Sequence, residues 1–200
     1  MTTLLVDTPH GPARASLHCA HEPRAALLLG HGAGGGVEAP DLVAACHAAN
    51  AVGVHVALVE QPYRVAGRRA PAPAKQLDTA WLSVVEDLGE RWFDGLPLVF
   101  GGRSSGARVA CRTSVEGQAV AVLCLAFPVH PPGRPEKTRL DELDGVKAPV
   151  LVVQGDSDPF GMPPRRRGRT ILVVEGNHSL RKGVAAYAAT AADWLAARLG

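Results

Sequence analysis

Short runs of consecutive apolar residues recur along the chain, and each ends at a turn rich in glycine, proline or polar residues. A strand that is apolar at every position is typical of a parallel sheet with helices on both faces. We predict such strands at Ala25–Leu29, Val52–Val59, Leu98–Phe100, Ala119–Phe127, Pro149–Val153 and Thr170–Val174. Two further runs, Thr2–Val6 and Ala15–Cys19, are separated by prolines and a glycine and predict an N-terminal antiparallel hairpin.

Segments with helical spacing lie between these strands. In Lys75–Trp92 the apolar residues recur at helical intervals, which predicts the longest internal helix. Asp41–Asn50, Ala107–Val115 and Val184–Leu199 are the other predicted helices. Strands and helices that alternate in this way predict an α/β fold with a doubly wound, mostly parallel sheet. Because its 200 residues show no break in composition, we expect one domain over residues 1–200.

Two segments lack any periodicity. Gln61–Ala74 is rich in proline, glycine and arginine and follows a predicted strand, so we expect a loop at the edge where open α/β sheets bind ligands. Tyr63 and Arg64 in this loop are candidates to line a pocket. Pro128–Pro135 contains too many prolines for a helix or a central strand. It is the only segment with room for a lid, and that lid would be short.

One strand-to-helix junction carries a chemical motif. Gly102–Gly106 has the pattern G-x-S-x-G of a nucleophile elbow, in which small residues allow a strained turn to lift a hydroxyl above the sheet. Ser104 is therefore the candidate nucleophile. The motif alone is weak evidence in a chain with 22 glycines, so other residues must support it.

An acid and a histidine follow later strands, and both are expected at the same sheet edge as Ser104. Asp156 and Asp158 lie in the turn after the strand that begins at Pro149, and His178 follows the last strand. Asp158 lies further beyond its strand and is better placed to reach a histidine, with Asp156 as the second choice. The order serine, acid, histidine along the chain is that of α/β-hydrolases. In that arrangement the histidine is the general base and the acid orients it.

The glycine-rich run Gly30–Gly36 has two functional interpretations. It matches the phosphate-binding pattern G-x-G-x-x-G, and Glu60 stands where a ribose-binding acid could lie. A hairpin precedes this unit, however, and the spacing to Glu60 is long for a dinucleotide fold. Alternatively, the glycines bring a main-chain amide close to a developing oxyanion, with the amides of Ala33 and Ser105 as the two donors. A turn without any ligand is the third interpretation.

Composition argues against several classes of partner. A net charge of +2 without a basic stripe gives no sign of nucleic acid or an anionic membrane as partner. We interpret the one basic cluster, at positions 165–169, as a solvated loop. No apolar run is long enough to span a membrane, and the N-terminal segment does not have the pattern of a signal peptide.

The cysteines and histidines point to no metal site. Cys19, Cys46, Cys111 and Cys124 lack the spacing of metal ligands or of a disulfide framework, which indicates a reducing compartment and hence a cytoplasmic location. The histidines other than His178 show no paired spacing with carboxylates or cysteines of the kind that binds zinc.

The sequence resembles a family of small α/β-hydrolase proteins, mostly bacterial, in the broad dienelactone-hydrolase-like group. The segments that carry the resemblance lie between residues 28 and 180 and are Gly30–Gly35, Gly101–Ser104, Phe127–Lys137, Gln154–Gly161 and His178–Ser179. The family also includes hydrolase-like subunits of chromatin complexes and testis-expressed proteins. The resemblance therefore implies the fold and the site more firmly than a reaction.

The family pattern implies a catalytic triad of Ser104, Asp158 and His178, and it places His130 near the pocket. Ser105 stands where relatives usually have methionine. This departure would alter the lining of the pocket more than the chemistry, because the expected donor at this position is the main-chain amide.

We therefore expect a serine hydrolase that cleaves an ester or thioester of a small substrate through an acyl intermediate on Ser104, without a cofactor or a metal. The residues expected to line its pocket are His31, Gly34, Tyr63, Arg64, Arg103, His130 and Phe160. With so few lid residues, the pocket should be shallow or completed by a partner subunit in a homo-oligomer. The alternatives are a catalytically idle fold that serves as a binding or scaffold module, and a nucleotide-binding oxidoreductase, although no Tyr-x-x-x-Lys pair supports the latter.

Overall fold

The computed structural model describes residues 2–199, which contain a single eight-stranded sheet with helices on both faces. The strands are β1 (Thr2–Val6), β2 (Ala13–His18), β3 (Ala25–Gly30), β4 (Val54–Glu60), β5 (Leu98–Arg103), β6 (Ala121–Leu125), β7 (Val150–Gly155) and β8 (Arg169–Val174). The helices are α1 (Pro40–Ala51), α2 (Pro62–Val65), α3 (Ala74–Arg91), α4 (Ser105–Thr113), α5 (Leu140–Asp144) and α6 (Val184–Leu199).

The strand order across the sheet is β1-β2-β4-β3-β5-β6-β7-β8. β1 and β2 form an antiparallel hairpin, β2 pairs antiparallel with β4, and the remaining neighbours are parallel. The predicted fold class, a doubly wound and mostly parallel sheet with an N-terminal hairpin, is confirmed. Most of the predicted bounds lie within two residues of the observed ones.

Two short helices were not expected. The segment Gln61–Ala74, predicted as an irregular loop, contains the four-residue helix α2, which begins at Pro62. Helix α5 has five residues and follows the proline-rich segment. Neither helix is long enough to show a helical period in its apolar residues. Pro62 is compatible with the start of α2, because proline is well suited to the first turn of a helix. Residues 126–139 contain no helix or strand.

Alternate residues of the central strands pack into two separate apolar layers. In β3, Leu28 belongs to the layer that includes Trp81 and Phe100, while Leu27 and Leu29 belong to the layer on the opposite face. Helices α3 and α4 cover the first layer, and α1 and α6 cover the second. Because side chains alternate between the faces of a strand, a strand covered on both faces is apolar at every position. This explains the continuous apolar runs in the sequence.

Three glycines allow β3, β5 and α4 to approach one another closely at the end of the sheet. A Cβ on Gly102 would lie 2.6 Å from both the Gly30 oxygen and the Gly106 carbonyl carbon. A Cβ on Gly106 would overlap the main-chain carbonyl of Gly30. The strand-to-helix turn can therefore form only where these positions carry no side chain.

We predict that Gly106→Ala lowers the free energy of unfolding by at least about 2 kcal/mol, because the added methyl group meets main-chain atoms that cannot move aside. Urea denaturation of wild type and variant measures this. The matched control is Gly89→Ala in α3, where the nearest atom to a new Cβ is Leu98 Cδ1 at 3.8 Å. Alanine is favoured over glycine inside a helix, so this variant should be at least as stable as wild type. Equal stability of the two variants would contradict the close-approach argument.

Candidate active site

Ser104 occupies the turn between β5 and α4. Its backbone has φ 52° and ψ −108°, a conformation that residues with a side chain rarely adopt. The Ser104 amide donates a hydrogen bond to the Leu125 oxygen at the end of β6, at 2.9 Å, which anchors the turn to the neighbouring strand. Helix α4 begins at the next residue, so the hydroxyl lies beside the positive end of a helix dipole.

His178 and Asp158 complete a chain of hydrogen bonds from Ser104. His178 Nε2 lies 2.9 Å from Ser104 Oγ, and His178 Nδ1 lies 2.9 Å from Asp158 Oδ2. The carboxylate can only accept, so we assign the imidazole proton to Nδ1. The lone pair of Nε2 then accepts the hydrogen bond from the Ser104 hydroxyl. The three predicted residues are thus brought together from the ends of β5, β7 and β8.

The Asp158 carboxylate is buried, with its side chain 1% exposed, and it receives three hydrogen bonds. Besides His178, the Gln154 side-chain amide donates to Oδ2 at 2.8 Å and the Phe160 main-chain amide donates to Oδ1 at 2.9 Å. A buried carboxylate is stable only when such donors replace water. Gln154 is itself fully buried at the end of β7, and its amide nitrogen also lies 2.9 Å from the Gly161 oxygen.

Asp156, the second choice for the acid, has a different role. Its Oδ1 accepts a hydrogen bond from the Gly176 amide at 3.0 Å, and the carboxylate is exposed. The Gly176 oxygen in turn accepts hydrogen bonds from the amide and the hydroxyl of Ser157, at 3.0 and 2.8 Å. These bonds join the turn that carries Asp158, residues 156–161, to the loop that carries His178, residues 175–180. We call these two segments the acid turn and the base loop.

The glycine-rich loop after β3 is fixed by buried polar contacts. The His31 imidazole accepts a hydrogen bond from the Gln61 main-chain amide at 3.1 Å and donates one to the Gly32 main-chain oxygen at 2.8 Å. Burial lowers the pKa of His31, so the neutral ring that these two bonds require is favoured. The Tyr63 hydroxyl donates to the Ala33 oxygen at 2.9 Å. The polar atoms of His31 and Tyr63 hold this loop, and both residues also line a small cavity beside Ser105.

Two main-chain amides near Ser104 are free. Within residues 2–199, the amides of Ala33 and Ser105 have no hydrogen-bond acceptor. Ser105 is the first residue of α4, where an amide has no partner within the helix. Helix α1, by contrast, begins only at Pro40, well after the glycines. The glycine run therefore does not open a helix, as the phosphate-binding interpretation requires. Glu60, the acid of that interpretation, is paired with Arg14 at 2.8 Å.

The other residues predicted to line the pocket have varied positions. The Phe160 ring stacks on the His178 imidazole, with ring centroids 4.0 Å apart. Nδ1 of His130 lies 2.9 Å from the Pro131 oxygen, and its ring lies against Gly161. Gly34 is exposed at the tip of its loop, and Arg64 is half-buried in α2.

Arg103 makes two contacts that sequence reasoning did not anticipate. Its guanidinium donates to the Asp41 carboxylate at 2.8 Å and to the His178 oxygen at 3.0 Å. Asp41 and Gln154 were both missed as parts of the site. The one signal for Gln154 is a polar side chain at the end of an otherwise apolar strand.

Neither the cysteines nor the acidic groups form a metal cluster in the described part of the chain. No three side chains from His, Cys, Asp and Glu are grouped there so that they could hold a metal ion. The four cysteines are free, and Cys46, Cys111 and Cys124 are buried. Over the same residues, no helix has both the length and the apolar character needed to cross a membrane.

Comparison with known proteins identifies relatives of this chain. The sequence model of the family described as "Alpha/beta hydrolase domain" matches residues 23–194. A serine hydrolase without a lid from Xanthomonas campestris is 20% identical and has a TM-score of 0.78, over 95% of this chain and 91% of that chain. A dienelactone hydrolase from Anabaena variabilis is 16% identical and has a TM-score of 0.78, over 100% of this chain and 98% of that chain. At these identities the structural likeness shows a shared fold.

Proposed function

The chain belongs to the α/β-hydrolase family, and from this premise we propose that it is a serine hydrolase that cleaves an ester or thioester of a small substrate. The observation that supports this proposal most directly is the pair of 2.9 Å hydrogen bonds that link Ser104 Oγ through the His178 ring to Asp158. A serine hydroxyl is a weak nucleophile on its own, and an adjacent base with an orienting acid is the arrangement that activates it.

In the acylation half, Ser104 Oγ attacks the carbonyl carbon of the substrate while its proton moves to His178 Nε2. The Asp158 carboxylate stabilises the imidazolium that forms and keeps the ring oriented. The imidazolium then gives its proton to the leaving oxygen or sulfur as the bond from that atom to the carbonyl carbon breaks. The product alcohol or thiol departs, and the acyl group remains on Ser104.

Deacylation repeats the same proton path with water. His178 removes a proton from a water molecule as its oxygen attacks the acyl carbon. The collapse of the second tetrahedral intermediate breaks the bond to Ser104 Oγ, which takes the proton back from the imidazolium. The carboxylic acid product leaves, and the enzyme returns to its starting state.

The free amides of Ala33 and Ser105 are the proposed oxyanion hole. Both lack an acceptor among the described residues, and Ser105 begins a helix whose dipole favours negative charge at this end. Main-chain donors held in place before the reaction stabilise the negative charge that develops on the carbonyl oxygen. The contacts of His31 and Tyr63 with the glycine loop would keep Ala33 in position for this role.

A small substrate is favoured by the short and irregular segment between β6 and α5. Residues 126–139 contain no helix that could close over Ser104. The Xanthomonas campestris relative is described as a serine hydrolase without a lid. We therefore propose an open site in this chain too, with few side chains to enclose a long acyl group.

The alternative is a catalytically idle fold that serves as a binding or scaffold module. An idle fold has no need for a serine in a strained backbone conformation, a buried acid with three donors and two free amides at one point. Since each of these features costs stability, their joint presence favours the enzyme.

We expect purified wild-type protein to form a covalent adduct with a fluorophosphonate probe, detected by intact-mass spectrometry. Ser104→Ala should form none, because the attacking oxygen is absent. Ser83→Ala serves as the control, since its hydroxyl bonds only within α3, to the Thr79 oxygen at 3.2 Å. A Ser104→Ala protein that is labelled like wild type would exclude Ser104 as the nucleophile.

The two aspartates after β7 provide a matched pair of variants. Asp158→Asn should slow fluorophosphonate labelling at least about a hundredfold, because the amide no longer fixes the imidazole proton on Nδ1. Asp156→Asn should leave the rate within about threefold, because the new amide oxygen can still accept the hydrogen bond from Gly176. Labelling rates measured under identical conditions decide the assignment. If the two effects are reversed, Asp156 is the acid.

A further inference from the structure

We propose that Arg103 is a positioning residue that holds the base loop, which carries His178, at a fixed distance from Ser104. This role rests on the proposed function of Ser104 and His178. Arg103 is the last residue of β5 and directly precedes the candidate nucleophile. Its guanidinium bonds two other segments of the fold and lies beside a third.

Each contact of the guanidinium reaches a different part of the fold. Nε donates to Asp41 Oδ2 at 2.8 Å, which ties β5 to the start of α1. Nη2 donates to the His178 main-chain oxygen at 3.0 Å. Nη1 lies beside Gly32, where an added Cβ would be 3.1 Å away. One planar group thus bonds the base loop and lies next to the residue before Ala33, the proposed oxyanion donor.

The base loop needs this contact in its middle. Its first part is held by the bonds between Gly176 and the acid turn, and its far end by the Tyr187 hydroxyl, which donates to the Leu180 oxygen at 2.7 Å. Across residues 2–199, Arg103 is the one residue whose side chain bonds the main chain of His178. Arg103 therefore holds the main chain at the residue that carries the base, while Asp158 orients its ring.

Asp41 fixes the guanidinium so that it can act in this way. The Asp41 side chain is 1% exposed and the Arg103 side chain 20%. Burial raises the pKa of the Asp41 carboxyl, and the Arg103 charge and the Leu42 amide oppose that rise. A buried ion pair adds little stability overall, so we assign this pair a geometric role. The planar guanidinium bonds the Asp41 carboxylate and the His178 oxygen in two fixed directions. The single ammonium of lysine cannot reproduce this geometry.

The test separates positioning from folding and from substrate binding. For wild type, Arg103→Lys and Asp41→Asn we would measure the maximal rate of Ser104 modification and the half-saturating concentration of a neutral fluorophosphonate, together with the melting temperature. Arg112→Lys is the matched control. The Arg112 side chain is 17% exposed and donates two hydrogen bonds to Asp78 on α3. Within residues 2–199 it bonds neither the base loop nor the glycine-rich loop after β3.

We expect Arg103→Lys to lower the maximal rate at least about tenfold while the half-saturating concentration changes less than about twofold. Asp41→Asn should lower the rate by a smaller factor, because Arg103 keeps its bond to His178. The control Arg112→Lys should keep the wild-type rate even if its melting temperature falls as far as that of Arg103→Lys.

Three results would overturn the proposal. A wild-type maximal rate in Arg103→Lys excludes positioning, and an equal loss in Arg112→Lys assigns the effect to general destabilisation. An increase in the half-saturating concentration alone would make Arg103 a substrate-binding residue instead. In each case the wild-type protein is still labelled at Ser104. Absence of labelling in wild type would contradict the proposed function itself, and this role of Arg103 with it.

Discussion

The site depends on the close approach of three main-chain segments, at the ends of β3 and β5 and at the start of α4. Gly30, Gly102 and Gly106 meet with no space for a Cβ at the last two positions. This contact forces the chain to turn sharply at Ser104, where φ is 52°. The same turn frees the Ser105 amide at the helix start and directs the hydroxyl away from the sheet. Nucleophile and oxyanion donor are thus two results of one steric constraint.

The parallel sheet supplies the remaining groups because the carboxyl ends of its strands share one edge. Ser104 follows β5, Asp158 follows β7 and His178 follows β8. Short polar contacts then refine what the topology has brought close. Asp156 and Ser157 join the acid turn to the base loop, Gln154 bonds the Asp158 carboxylate, and Arg103 bonds the main chain of His178.

Much of the fold could be predicted from the sequence, since strands covered on both faces leave a strong apolar signal. The candidate nucleophile, acid and base could be placed at the ends of such strands from the G-x-S-x-G motif, the chain order and the family resemblance. Helices α2 and α5 could not be predicted, because four or five residues are too few to show a helical spacing of apolar positions.

The contacts that support the site could not be predicted from the sequence either. Asp41 and Arg103 are 62 positions apart, and their pairing depends on how α1 packs against the end of β5. In the sequence, an aspartate in the first turn of a helix indicates only a favourable interaction with the helix dipole. His31 and Tyr63 were placed near the correct loop, but only the structure shows that their polar groups bond its main chain.

The most direct test of the account is a crystal structure of the protein after reaction with a fluorophosphonate. We predict phosphorus bonded to Ser104 Oγ and a phosphoryl oxygen at about 2.7–3.1 Å from the amide nitrogens of both Ala33 and Ser105. An adduct on another residue, or a phosphoryl oxygen that contacts neither amide, would contradict it.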